Sequence, residues 1–369
     1  MLIPNLISQV GATAPTELPE KLVVLRNNMK LFVNAAERLD ANSVYVNMLL
    51  QYYYDCNSIS QKALENEVSY AVINLSCCYE ELSQELMERA YSGQNDNSQA
   101  WISSSRMGKR ALGLVEYLGS SGIVGNESTA SLVSAYALAW RLSQQLRMVV
   151  FTLCKLRAKL GQVQEGYDGL LELQEADLVT LSANSLLYGR LVLGCQRACR
   201  QLEATALRSH VGPLVVFTDV LALVLISMDR YNKDKCGDAI GMLEESLEKL
   251  HAAHLVPSDY GGFKDSRLMR PRTVDTLLHW KEKVKPKVNR AEQITCLHPF
   301  LQRIIQGFLL PLIILLSYRY KRTNDSLFLQ KVERRRWDLP EGKAPDCVGI
   351  EWVFENGQLR EIPESAKYY

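Results

Sequence analysis

Residues 65–86, ENEVSYAVINLSCCYEELSQEL, and 98–118, SQAWISSSRMGKRALGLVEYL, decide the fold. In the first, Val68, Ala71, Val72, Leu75, Cys78, Leu82 and Leu86 recur at three- and four-residue steps, which predicts an apolar stripe along one side of a helix with charges opposite. Trp101, Met107, Ala111, Leu114, Val115 and Leu118 do the same in the second. The polar turn SGQNDN joins them. Two stripes so closely linked leave water by folding back on each other as an antiparallel hairpin of helices.

Working outward toward the amino end, Thr16 to Pro19 supplies cap chemistry, and Leu22, Leu25, Met29, Phe32, Val33, Ala36 and Leu39 mark a helix. A second helix, from about Ser43, carries QYYYD. In the other direction LGSSGIVGNES is a Gly-rich turn ending in a cap at Asn126 or Ser128. From there Leu132, Ala135, Ala139, Leu142, Leu146, Val149, Leu153, Leu156 and Leu160 predict the longest helix, a rod of roughly 50 Å. Gly161 to Gly169 breaks it. A further long helix covers Asp177 to about Arg208 and is stopped by HVGP. Leu214 to Tyr231 and Cys236 to His254 form the next pair, the second with Ala239, Ile240, Leu243, Leu247 and Leu250 on one side. Pro257 to Pro271 reads as a loop, Val274 to Val284 as a charged helix, Ile304 to Leu316 as an apolar helix, and the stretch up to Trp337 as a basic one. The tail changes character. CVGIEWVF, ENGQ and LREI predict a β-hairpin with Asn356-Gly357 at its turn. The expected fold is therefore all-α, an elongated tetratricopeptide-like solenoid of helical hairpins. One helical domain is expected over 1–340, followed by a tail over 341–369 that holds the β-hairpin.

The formal charge of +1 carries no nucleic-acid signature. Its distribution is uneven: Lys264 to Arg336 holds 17 Lys and Arg against 6 Asp and Glu, a net +11, which leaves −10 for the remainder. A partner of either sign would be steered to one part of the chain. The nine cysteines are odd in number and mostly sit beside Leu and Val in helical patterns, which reads as a reducing compartment. The start, MLIPNLISQVGATAP, has no positive charge before Lys21 and is interrupted at Pro4, a poor secretory signal.

Motifs of reaction chemistry are missing. There is no G-x-S-x-G elbow, no H-E-x-x-H and no Cys-x-x-Cys, and GQVQEG lacks the Lys-Ser/Thr of a phosphate loop. Cys195 and Cys199 lie one helical turn apart beside Arg197 and Arg200, an arrangement that reads as buried packing rather than an activated thiol or metal site. His251 and His254 share a face without a carboxylate or Cys at ligand spacing, so they read as satisfied or solvent-facing. NKDKCGDAIGML imitates a calcium loop, but Cys236 and Leu243 fall at ligand positions and cannot hold a hard cation. No metal or cofactor is expected. The apolar run Ile304 to Leu316 falls short of the roughly 20 residues that cross a bilayer, and it reads as a buried core helix, with membrane or partner contact as the alternatives. The basic residues Arg267, Arg270, Arg272, Lys281, Lys283, Lys285, Lys287 and Arg290 read as a solvated face, or else as a contact for anionic lipid or an acidic helix.

Four stretches, in this order, resemble one known family. ENEVSYAVINLSCCYEELSQEL stands where that family has E-K-A-x-V-L-F-N-I-A-A, and SQAWISSSRMGKRALGLVEYL where it has F-Q-x-A-A-G-x-F-x-Y-L. KDKCGDAIGMLEESLEKL matches Y-G-E-E-I-A-R-L and its amphipathic continuation, and KVNRAEQITCLHP matches D-N-x-x-I-Y-x-x-x-V-P. The chain thus resembles the BRO domain of the Alix, rhophilin and endosomal-sorting adaptors over about Lys21 to Pro299. It departs from the pattern at Ala139 to Ser143, AWRLS, where the family has A-Q-A-Q-E.

The resemblance implies a BRO-type solenoid acting as a non-catalytic adaptor, cytoplasmic and recruited to endosomes or cortical sites at the plasma membrane. Its partner would be the carboxy-terminal amphipathic helix of an ESCRT-III subunit, held in a concave apolar groove. The family's short fungal members add ambient-pH signalling, with proteolytic activation of a zinc-finger transcription factor at alkaline pH. Tyr136, Trp140, Leu187, Tyr188 and Leu191, large and partly off the main stripes, are the candidates for that groove, with core between layers as their other reading. A helical-repeat scaffold unrelated to ESCRT, or an all-helical enzyme with an unrecognised site, are the rival readings.

Overall fold

The computed structural model describes residues 18–32, 34–93, 98–161, 175–255, 297–332 and 337–362. Helices α1 (Glu20–Asn28), α2 (Ala35–Asp55), α3 (Ser58–Ser92), α4 (Ser98–Ser120), α5 (Glu127–Gly161), α6 (Glu175–Ser182), α7 (Ser185–Leu202), α8 (Arg208–Asn232), α9 (Cys236–Ala252), α10 (Pro299–Ile304) and α11 (Leu310–Thr323) carry most of it. Strands β1 (Trp352–Glu355) and β2 (Gln358–Glu361) pair antiparallel. The all-α expectation with a small carboxy-terminal hairpin holds. The chain divides into two compact units: Met1–Arg147 with Gln201–Ser209 and Asp346–Tyr369, and Met148–Arg200 with His210–Pro345.

In the first unit α3 packs along both α2 and α4, so the helical hairpin of 65–118 forms as expected. Two small side chains let its helices approach closely: Ser83 Oγ donates to the Ser104 carbonyl at 2.7 Å, and Ser104 Oγ donates back to the Ser83 carbonyl at 2.7 Å. The single stripe expected on α3 understates its burial, since residues 71–78 are buried all round. Its small residues, Ala71, Ser76, Cys77 and Cys78, permit neighbours on every side. The one helix expected from Leu22 to Leu39 is two. Asn34 Oδ1 accepts from Ala36 N at 2.9 Å and starts α2 afresh, a cap that apolar periodicity conceals. The cap expected at Asn126 is present, its Oδ1 taking Thr129 N at 2.7 Å.

In the second unit α8 is the buried centre, with Phe217, Val220, Leu221, Val224 and Ile226 at 1% exposure or less. α7 lies against it at Gly189, where an added Cβ would come 2.9 Å from Ile226. The helix expected from Asp177 to Arg208 breaks after Ser182 and restarts at Ser185, where the Asn184 carbonyl takes Tyr188 N at 3.0 Å. HVGP does not end it. Pro213 sits inside α8, its neighbours Val211 and Leu214 buried, so packing outweighs the single ladder bond that proline removes. α9 meets α11 through Cys236 Sγ on the Tyr320 carbonyl at 3.2 Å and the Lys321–Glu244 ion pair at 2.6 Å.

The apolar run Ile304 to Leu316 is core, as expected: Ile305, Leu309, Leu310, Ile313 and Leu316 are fully buried. By length and composition alone, Leu178–Leu202, Val211–Asn232 and Pro299–Phe328 are long and apolar enough to cross a membrane, and 50%, 72% and 67% of their apolar windows are buried within the structure. The basic helix expected up to Trp337 is interrupted before 332, and its residues 333–336 lie outside the described residues. Leu329 turns left-handed (φ 51°), and Asn324 clamps Gln330 through two bonds of 2.8 and 3.1 Å.

His298 caps α10, its Nδ1 taking Phe300 N at 3.3 Å. Burial, helped by nearby Arg303, lowers its pKa from 6.5 to about 4. The unfolded chain therefore binds this proton first. The contribution of neutral His298 is fully present above pH 6.5 and is lost as pH falls from there toward 4. In His298→Asn, which keeps a capping oxygen, thermal stability is expected to depend less steeply on pH in that window. An unchanged slope would remove His298 as the cause.

Candidate functional site

Of the five candidate groove residues, Tyr136 and Trp140 lie inside the first unit, at 1% and 0% exposure. Their rings are 5.5 Å apart, and Trp140 Nε1 donates to Ser76 Oγ at 3.1 Å. One turn further along α5, Ser143 Oγ donates to Glu80, and the Arg147 guanidinium reaches both Glu80 oxygens at 3.3 Å. Gln84 Nε2 adds a third donor to Glu80 at 3.1 Å. Gly108 makes room for this arginine, since a Cβ there would stand 2.5 Å from its nitrogens. Positions 140, 143 and 147 thus form one face of α5 addressed to Ser76 and Glu80 of α3. Of the departure AWRLS, all but Arg141, which is exposed and pairs with Glu116 at 2.8 Å, lie in the core. A second buried group ties α1 and α2 to α3: Glu67 pairs with Arg26 at 3.1 Å and accepts the Tyr45 hydroxyl at 2.6 Å. Burial and Glu67 push the Tyr45 phenol far above its ordinary pKa.

The other three candidates belong to α7 in the second unit. Leu187 is 51% exposed, while Tyr188 and Leu191 are half-buried. The side of α7 turned to α8 is fixed by Gly189 on Ile226 and by Gln196 Nε2 donating to Asp219 at 2.6 Å. At about 100° per residue, Leu187 and Leu191 lie on the opposite side of the helix. Beside them runs the extended segment that follows Trp337. Its Lys343 N donates to the Arg190 carbonyl at 2.8 Å, Arg190 Nε donates to the Glu341 carbonyl at 3.0 Å, and Gly194 lets it pass, an added Cβ standing 2.8 Å from Ala344 N. The result is an apolar strip bordered on one flank by backbone and guanidinium groups. Met148 and Phe151 of α5 are exposed apolar side chains of the same unit, with Lys155 Nζ 4.4 Å from the Phe151 ring centre.

The basic candidates Arg267, Arg270, Arg272, Lys281, Lys283, Lys285, Lys287 and Arg290 lie outside the described residues. Cys195 and Cys199 are buried, and His251 and His254 are exposed. Among the described residues no group of three or more His, Cys, Asp or Glu is placed to hold a metal ion. Periodicity missed Glu80, Glu67 and Arg147, because it assigns charges to water. The signal available was a charge falling in register with apolar neighbours, Glu80 one turn beyond Ser76 and Cys77.

Fold and surface together define an all-α protein built from packed helical pairs, with an outward apolar strip and an applied carboxy-terminal β-hairpin. The chain belongs to the family described as "Family of unknown function (DUF5355)", whose model matches residues 62–369. It is 27% identical over 376 residues to the uncharacterized protein YGR122W of Saccharomyces cerevisiae, covering 93% of this chain and 90% of the yeast protein. A solved structure described as "Structure basis for endosomal targeting by the Bro1 domain" is similar at a TM-score of 0.42 and 13% identity, covering 90% of this chain and 80% of that one.

Proposed function

We propose that this chain is a non-catalytic adaptor that binds the carboxy-terminal amphipathic helix of an ESCRT-III subunit. The observation that carries the reading is the strip of Leu187, Tyr188 and Leu191, turned away from α8 and partly open. An amphipathic helix recognises such a strip by laying its own apolar face along it. The four stretches similar to the BRO domain supply the partner. In this reading 1–340 acts as one BRO-like domain with 341–369 as its tail. The chain works in the cytoplasm, recruited to endosomes or cortical membrane sites, with the basic residues of 267–290 touching anionic lipid. Its departure from the BRO pattern at Ala139 to Ser143 supports a likeness to the fungal pH-response regulator palC, and the reading extends to ambient-pH signalling that supports proteolytic activation of a zinc-finger transcription factor.

The test is a fluorescence titration of a synthetic ESCRT-III carboxy-terminal helix into the intact chain. Leu187→Asp and Leu191→Asp are each expected to weaken binding more than tenfold with the circular dichroism of the protein unchanged. Trp140→Asp is unsuitable for this purpose, because a charge at a fully buried position unfolds the first unit instead. Equal affinity in both leucine variants sinks the strip, and binding that vanishes with moderate salt alone favours a purely electrostatic scaffold.

A further inference from the structure

In the carboxy-terminal hairpin the loop is two residues, Asn356 and Gly357, both left-handed at φ 53° and 74°. Cross-strand pairs run Glu355 with Gln358, Phe354 with Leu359, Val353 with Arg360 and Trp352 with Glu361. The bond from Ile362 N to the Glu351 carbonyl, 2.8 Å, continues the same register. Residues 351, 353 and 355 therefore spend their main-chain groups on β2. Trp352 and Phe354 aim theirs the other way. On β2 the equivalent outward amide, that of Leu359, donates to Asn47 Oδ1 at 2.8 Å, so that edge is closed by α2. On β1 the main-chain groups of Trp352 and Phe354 have no partner among the described residues, and the sheet has two strands.

The strand is held firmly in this posture. Phe354 stacks on Tyr54 with ring centres 5.3 Å apart, the Trp352 ring lies 6.0 Å from Tyr79, and Trp352 Nε1 donates to the Arg110 carbonyl at 3.3 Å. Alternation then sends Glu351, Val353 and Glu355 to the outer face, where both glutamates are exposed.

We propose that the open edge of β1 is a docking site for an extended peptide segment of a partner protein, added as a third, antiparallel strand and carrying basic side chains at alternate positions. Main-chain bonds to Trp352 and Phe354 supply attachment. The outer row of acid, apolar, acid selects its complement of base, apolar, base, because oppositely charged cross-strand neighbours attract and like charges repel. The same row disfavours a second copy of this chain. In the twofold register that engages both outward residues, Glu351 would stand opposite Glu355 of the other copy. This site is separate from the α7 strip and does not depend on the adaptor reading.

The probe is a fluorescein-labelled peptide containing Lys-Thr-Val-Thr-Lys, titrated into the intact chain. Its two threonines would pair with Trp352 and Phe354, so N-methylation of both threonine amides is expected to weaken binding at least tenfold. N-methylation of the valine amide, which would face away, should change little. Glu351→Lys with Glu355→Lys is expected to weaken the unmodified peptide at least tenfold while tryptophan fluorescence shows the hairpin still docked. No binding by the intact chain, indifference to threonine methylation, or indifference to the charge reversal would each overturn the proposal. So would sedimentation showing that a second copy already occupies the edge.

Discussion

Glu80→Ala is expected to lower the unfolding free energy by about 3–5 kcal/mol, because it leaves the guanidinium of Arg147 buried without its counter-charge. Glu80 is fully buried and accepts from Ser143, Arg147 and Gln84, and the Arg147 side chain is 6% exposed. A surface ion pair of the same length would contribute at most about 1 kcal/mol, so the size of the loss separates the two cases. Removing both charges behaves differently: Glu80→Leu with Arg147→Met, similar in volume and leaving no unpaired charge, should recover much of the loss, less what the Ser143 and Gln84 donors lose with their acceptor. Denaturant melts of the intact chain, Glu80→Ala and the double variant check this. A single-variant loss below about 1 kcal/mol would contradict the assigned role of the pair.

Gly113→Ala is expected to detach the carboxy-terminal segment from α4. A Cβ at position 113 would stand 1.8 Å from the Ile350 carbonyl oxygen, and the obstacle is backbone on both sides. Neither α4, held by α3, nor the strand, held by the Ile350 N bond to the Lys109 carbonyl at 2.9 Å, can give without losing contacts. Overpacking of this kind costs about 1–3 kcal/mol. Since 1.4 kcal/mol is tenfold, exchange of the amides over 350–362 should quicken roughly five- to 150-fold by local release, leaving those of α3 unaffected. Unchanged protection over 350–362 would show that the segment is held elsewhere.

What could be read from the residues follows their periodicity and turn chemistry. The helical hairpin of 65–118, the cap at Asn126, the buried run from Ile304 and the β-turn at Asn356-Gly357 each rest on a local pattern that tertiary contacts reinforce. The breaks at Asn34 and Asn184 were hidden because one capping residue interrupts an apolar pattern that continues past it. Glu80, Arg147 and Glu67 were hidden because the partner of a buried charge lies far along the chain, 67 residues away for Glu80 and Arg147. The extended course of 337–351 has no period to read. It depends on Gly113 and Gly194, whose meaning appears only when the backbone they admit is in place.

The candidate surface was legible in part for a related reason. Size and chemistry do not distinguish an aromatic that anchors a partner from one that fills a core. Tyr136 and Trp140 proved to be core, bound to α3 through Ser76, whereas Leu187, Tyr188 and Leu191 remain at the surface because Gly189 sets the rotation of α7 on α8. A glycine too small to attract notice thus decides which leucines a partner can reach.

Photo-crosslinking tests the docking of a partner helix on α7 most directly. An ESCRT-III carboxy-terminal helix bearing a photoreactive group on its apolar face is mixed with the intact chain, illuminated, and the adducts are mapped by mass spectrometry. Adducts concentrated within Ser185–Leu202, and lost in Leu187→Asp with Leu191→Asp, are the predicted result. No adduct, or adducts that avoid α7 and persist in that variant, would contradict it.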